Sequence, residues 1–174
     1  MLTAVLREDE MTPIIVLSLI LLWVHLLTAV VFVGGSYFMW IIVVPASHLI
    51  TQDESERTQI VGKIAKKFGA IVNPVLIILV LSGIYNATNY LSSISDLITY
   101  PGTILLTKMV LVAILISLVY LHNTYFGKQI IRLSKEKRLE ELNRLRKKSR
   151  LISITNLSLM TIVLILAAML QIPP

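Results

Sequence analysis

Cysteine is absent from the sequence, which removes disulfides, thiolate metal sites and thiol catalysis together and leaves no redox compartment to read. Charge is scarce as well: 15% of the 174 residues are Asp, Glu, Lys or Arg, while 56% are apolar. That balance lies outside the soluble globular class. The phosphate loop, nucleophile elbow, zinc-protease helix and dinucleotide fingerprint of soluble enzymes are also missing, so catalysis is the least supported function class. A net charge of +6 would suit nucleic acid, but the bases crowd beside apolar runs. Anionic lipid headgroups, and no nucleic acid, are the expected partner.

What is present is apolar length. Four runs are long enough to cross a hydrocarbon layer of ~30 Å: about 13–44, 69–90, 103–126 and 151–170. The fold class expected is an all-α integral membrane protein, a four-transmembrane-helix bundle forming a single membrane domain over 1–174. Glu8, Asp9 and Glu10 stand directly before the first span, with no small-residue cleavage site, so the N-terminal segment reads as retained and not as a signal peptide. The first span begins after Pro13 and is interrupted at Pro45. Pro74 lies near one end of the second, with Asn86 and Asn89 near the other.

Loop charge orients the bundle. Arg57, Lys63, Lys66 and Lys67 fall in the loop 45–68, and every base between Lys128 and Arg150 falls in the loop 127–150, whereas the loop after the second span has none. The positive-inside rule therefore predicts that both basic loops are cytoplasmic and both termini outside. In 45–68 the acids Asp53, Glu54 and Glu56 precede the bases, which suits a helix dipole. In 127–150, Ile130, Ile131, Leu133, Leu139, Leu142 and Leu145 recur at roughly helical spacing, predicting helical cytoplasmic extensions that contact lipid or dock a partner.

Polar groups inside hydrocarbon are costly and so are functional candidates. The orientation predicts an outer set, His25, Asn86 and Lys108, and an inner set, Asn73, His122 and Asn156, with His48 just past the first span. His25 reads either as a metal or haem ligand, as a proton-transfer group, or as an imidazole hydrogen-bonded to a neighbouring helix. Lys108 can hold a cofactor or snorkel to the interface. His122, beside Asn123, is a second candidate ligand or an interfacial residue; His48 reads as a loop histidine. Lys108 and His122 are two heptads apart, on one face but ~21 Å apart along the axis. Met39 and Met109 are candidate thioether ligands for copper(I), although the methionines are scattered singly and packing is their ordinary role. Gly34-Gly35 allows close helix packing or room for a flat cofactor.

The stretch from His25 through Gly34-Gly35 to Pro45 resembles the opening helix of the copper-resistance protein D family. Gly102-Thr-Ile-Leu-Leu-Thr-Lys108, with His122 at the end of the same helix, is similar to that family's Gly-x-x-Leu-x-x-Lys helix, and Ser82-Gly83 matches a third piece. A weaker resemblance is to the haem-carrying membrane protoporphyrinogen oxidases, from which Ala46 departs where arginine follows the proline.

The first resemblance implies copper handling or transport in the cell membrane of a bacterium or archaeon, with His25 the leading ligand and His122, Met39 and Met109 further metal candidates. The second implies a haem b redox bundle with His25 and His122 as axial ligands and Lys108 near the cofactor. A third reading is an accessory subunit of a larger membrane enzyme, a copper monooxygenase or respiratory oxidase, joined to other membrane subunits or to copies of itself.

Overall fold

The computed structural model describes residues 2–88, 91 and 93–170, with 2–12 and Ile94 described as backbone alone. Asn89 and Tyr90, at the expected end of the second span, and Pro173-Pro174 lie outside the described residues. Every regular element is helical among the described residues: α1 (Leu2–Phe38), a π-helical turn (Met39–Val43), α2 (Val44–Ile50), α3 (Glu54–Ala87), a 3-10 turn (Ile94–Ile98), α4 (Gly102–Leu121), a second π-helical turn (His122–Phe126), α5 (Gly127–Lys135) and α6 (Leu139–Met169).

Among the described residues, four continuous helical rods are long and apolar enough to cross a membrane: Pro13–Ile50, Glu54–Ala87, Gly102–Lys135 and Leu139–Met169. The protein is thus a multi-pass membrane protein. The shortest rod has 31 residues, ~47 Å at helical rise, against a hydrocarbon thickness of ~30 Å. The surplus lies at the end that carries the bases.

Two prolines do not act as expected from sequence. Pro13 lies inside α1, where a missing N–H costs one hydrogen bond without ending the helix. Pro45 does not stop the first rod either. The π-helical turn before it moves the backbone to a wider register, the Val44 N–H bonding the Met39 carbonyl, which relieves the clash a proline ring would make with the preceding turn. The helix then continues to Ile50.

α1 and α3 pair antiparallel along a seam of seven-residue steps. Ser18 meets Tyr85 (Oγ to Oη 3.1 Å), His25 meets Ser82, and Phe32 clusters with Val72 and Leu76. Steps of seven keep one face turned toward the partner. Gly35 lets Phe68 lie directly against α1: a Cβ there would meet the ring at 2.5 Å, whereas one on Gly34 would meet nothing. Packing, not a cofactor, accounts for Gly35. α4 presents the same periodicity as Lys108, Leu115 and His122.

The core is one apolar layer to which all four rods contribute: Phe32, Val72, Leu76, Leu115 and Met160, each no more than 4% exposed. Around it, large apolar side chains such as Trp23, Val30, Ile71, Leu81 and Ile165 are exposed. In water that surface would aggregate; against lipid it is the solvated face.

Beyond the spans the basic segments form a second packed unit rather than loose loops. α5 continues the α4 rod, the chain reverses at Glu136–Arg138, with Lys137 in the left-handed region (φ 54°), and α6 returns. α5 packs on the first part of α3: the Ser55 hydroxyl donates to the Ser134 carbonyl (2.7 Å) and the Ser134 hydroxyl to the Ser55 carbonyl (3.0 Å). Leu133 and Leu142 are buried there, and Arg146 of α6 grips the Glu54 carboxylate and the Thr58 hydroxyl. Asp53 caps α3 by accepting from the Ser55 and Glu56 N–H groups (2.7 and 3.1 Å).

Candidate functional site

The apolar layer divides the interior into two polar levels. On α4, Leu115 is 3% exposed, and Lys108 and His122 lie seven residues to either side of it, ~10 Å each way along the axis. On α1, His25 is seven residues from Phe32 on the Lys108 side.

His25 is held by α3. Its Nδ1 lies 3.0 Å from the Leu79 carbonyl oxygen and 3.1 Å from the Ser82 hydroxyl. A carbonyl can only accept, so Nδ1 carries the proton and donates it, which fixes the tautomer. The Ser82 hydroxyl is itself turned to the Ile78 carbonyl at 2.7 Å. Gly83 provides the room: a Cβ there would approach the imidazole Cε1 to 3.0 Å. The remaining nitrogen, Nε2, keeps its lone pair with no hydrogen-bond partner among the described residues.

Two more polar groups belong to this level. Lys108 is half-buried, within electrostatic range of His25, and has no hydrogen-bond or ion-pair partner among the described residues. Asn86, one turn beyond Ser82 on α3, has both amide atoms buried and without a partner among the described residues. The outer set expected from sequence is therefore gathered on one side of the apolar layer.

The His122 level is built differently. The second π-helical turn starts at His122, and Gly127 N–H bonds its carbonyl. Its Nε2 lies 2.8 Å from the Ser149 hydroxyl and 3.3 Å from the Ser153 hydroxyl, both on α6. The ring lies nearly parallel to Phe126, centroids 6.3 Å apart. Ser149, Ser153, Asn156 and Met160 continue as one stripe along α6. Asn156 is buried with its Oδ1 unpartnered among the described residues.

Other candidates fall outside both levels. Asn73 is exposed on the outer face of α3 and does not join His122, because its neighbour Val72 takes the inward position. Met109 stands beside Lys108 but is 47% exposed. Met39 opens the first π-helical turn, fourteen residues and ~21 Å of helix from His25. His48 is exposed in α2. His25 and His122, on opposite sides of the apolar layer, are too far apart to be axial ligands of one iron. Among the described residues no three His, Cys, Asp or Glu side chains gather as a metal cage.

Sequence reasoning did not foresee the Glu54–Arg146–Thr58 clasp or the paired Ser55 and Ser134. The buried leucines in the basic segment were the available signal, since an amphipathic stretch needs something to cover it.

The model of the family described as copper resistance protein D matches residues 62–170, more than half of the chain. The match runs from within α3 to the end of α6, so it includes Ser82-Gly83, Lys108 and His122 and leaves α1 with His25 outside. No curated protein and no solved structure matches the chain.

Proposed function

The chain belongs to the copper resistance protein D family, and on that premise we propose that it carries copper through or into the membrane by way of His25. The observation that supports this is the fixed tautomer. Metal-bound histidines characteristically donate the second ring N–H to a carbonyl or carboxylate, which orients the ring and raises the basicity of the ligating nitrogen. His25 has that arrangement, with Leu79 as the acceptor and Nε2 left as the atom that would ligate. A neutral imidazole suits copper, and copper here is the cargo.

Weak binding suits passage. Cargo must enter a site readily and leave it readily, and a single imidazole beside the Lys108 ammonium is a shallow well for a cation. Below it the layer around Phe32 and Leu115 is an apolar constriction, and the His122 level lies beyond. The basic end faces the cytoplasm in this reading, since Lys and Arg accumulate on cytoplasmic loops, so copper meets His25 from the outer side of a bacterial or archaeal cell membrane.

The test is copper(I) uptake into proteoliposomes containing the purified protein and an internal copper(I)-sensitive dye. The intact protein should exceed empty liposomes, and His25→Ala should fall to the empty-liposome rate. Uptake by His25→Ala equal to that of the intact protein would remove His25 from the path.

A further inference from the structure

At the basic end, where α5 and α6 diverge from the turn at Glu136–Arg138, the structure leaves a cleft of about 360 Å³. Four bases line it, Arg132, Arg138, Arg144 and Lys148, against one acid, Glu141. The bases are not equally engaged. Arg132 bonds Glu136 (2.8 Å), and Arg138 bonds Glu136 and Glu141. Arg144 and Lys148 have no acidic partner among the described residues. They stand four residues apart on α6, so their charges share one face and oppose each other unless an anion lies between them.

The surroundings indicate which anion. Leu133 and Leu145 supply apolar wall. Tyr125, also in the lining and 54% exposed, has the amphipathic ring favoured at headgroup depth. Lys148 is three residues from Leu151, where the apolar run of α6 begins. The cleft therefore straddles the membrane surface, with cations toward water and carbon toward lipid. A freely dissolved phosphate would use the cations alone; a phospholipid uses both.

We propose that this cleft is a binding site for the phosphodiester headgroup of an anionic phospholipid, held between Arg144 and Lys148 with its glycerol and upper acyl carbons against Leu133, Leu145 and Tyr125. Basic pockets between membrane helices are a recurrent means of holding such headgroups. The site is independent of copper binding at His25, which lies at the opposite end of the bundle.

The test uses the full-length protein, delipidated in neutral detergent and titrated with phosphatidylglycerol, phosphatidylcholine or inorganic phosphate, with bound lipid counted by native mass spectrometry. Phosphatidylglycerol should bind in preference to phosphatidylcholine. Arg144→Gln/Lys148→Gln should weaken that binding roughly thirtyfold, about fivefold for each cation lost near the surface, and Arg144→Lys/Lys148→Arg should retain it. Lys63→Gln/Lys66→Gln, which removes the same charge from the exposed face of α3, should leave it unchanged. Three results would each overturn the site: equal binding of phosphatidylcholine, equal loss in the α3 variant, or displacement of the lipid by inorganic phosphate, which would mark a site for free phosphate.

Discussion

His25 and His122 are both half-buried imidazoles on interior faces of membrane helices, and they are held in opposite ways. His25 uses its N–H on the Leu79 carbonyl and, among the described residues, leaves Nε2 without a partner beside an unpaired Lys108 and an unpaired Asn86 amide. His122 has its Nε2 taken up by Ser149 and Ser153. A buried polar group that is satisfied stabilises and specifies the packing; one left with spare capacity costs stability and is retained where it has something to bind. Asn156, one turn from Ser153, is the exception on the satisfied side. On the proposed reading, ligand chemistry belongs to the His25 level and helix joining to the His122 level.

The strongest way to break that contrast is to remove the layer between the levels. Leu115→Ala deletes a side chain that is 3% exposed in the shared core and should cost about 2–4 kcal/mol, as large-to-small core substitutions do. Unfolding in a mixed-detergent titration measures it, and unchanged stability would mean that the layer does not hold the levels apart.

Next in size is the clasp on the His122 side. Arg146→Ala leaves the Glu54 carboxylate without its cation. The Arg146 and Glu54 side chains are 27% and 32% exposed, so solvent screens part of the loss, and about 1–2 kcal/mol is expected in the same titration. Glu54→Gln/Arg146→Met should recover part of it.

On the His25 side the expected effect has the other sign. Lys108→Gln removes a positive charge within electrostatic range of His25 and should tighten copper(I) binding about fivefold, the equivalent of ~1 kcal/mol. Weaker binding would make Lys108 a helper of the ligand rather than its competitor.

The smallest effect is at the surface of the basic end. The N–H groups of Glu56 and Ser55 hold the Asp53 carboxyl below its ordinary value of 3.8. A carboxylate with a depressed pKa in the folded state contributes stability above that ordinary value and loses it as pH falls through the lowered one. The first turn of α3 should therefore fray as pH drops below 3.8, seen in the amide resonances of Ser55 and Glu56. Asp53→Asn, which caps without titrating, should remove the pH dependence.

Much of the fold could be read from run length, because hydrocarbon thickness sets a minimum that few other structures require. The heptad relation of Lys108 to His122 was legible too, since it lies within one helix. What escaped depends on pairing between distant segments. Asn73 and Asn156 look alike in sequence, and the crossing of the helices turns one outward and the other inward. Glu54 and Arg146 each read as ordinary surface charge until α6 returns beside α3. Pro45 read as a helix end because a proline alone does not reveal the π-helical turn that accommodates it. The tautomer of His25 is set by a carbonyl on another helix, so sequence could nominate the residue without deciding whether its nitrogen was free.

The most direct measurement is copper(I) affinity, by competition with a chromophoric chelator under reducing conditions, for the intact protein, His25→Ala and His122→Ala. His25→Ala should abolish the competition and His122→Ala should leave it intact while lowering thermal stability. Loss of binding in His122→Ala with binding kept in His25→Ala would contradict the assignment of the two levels.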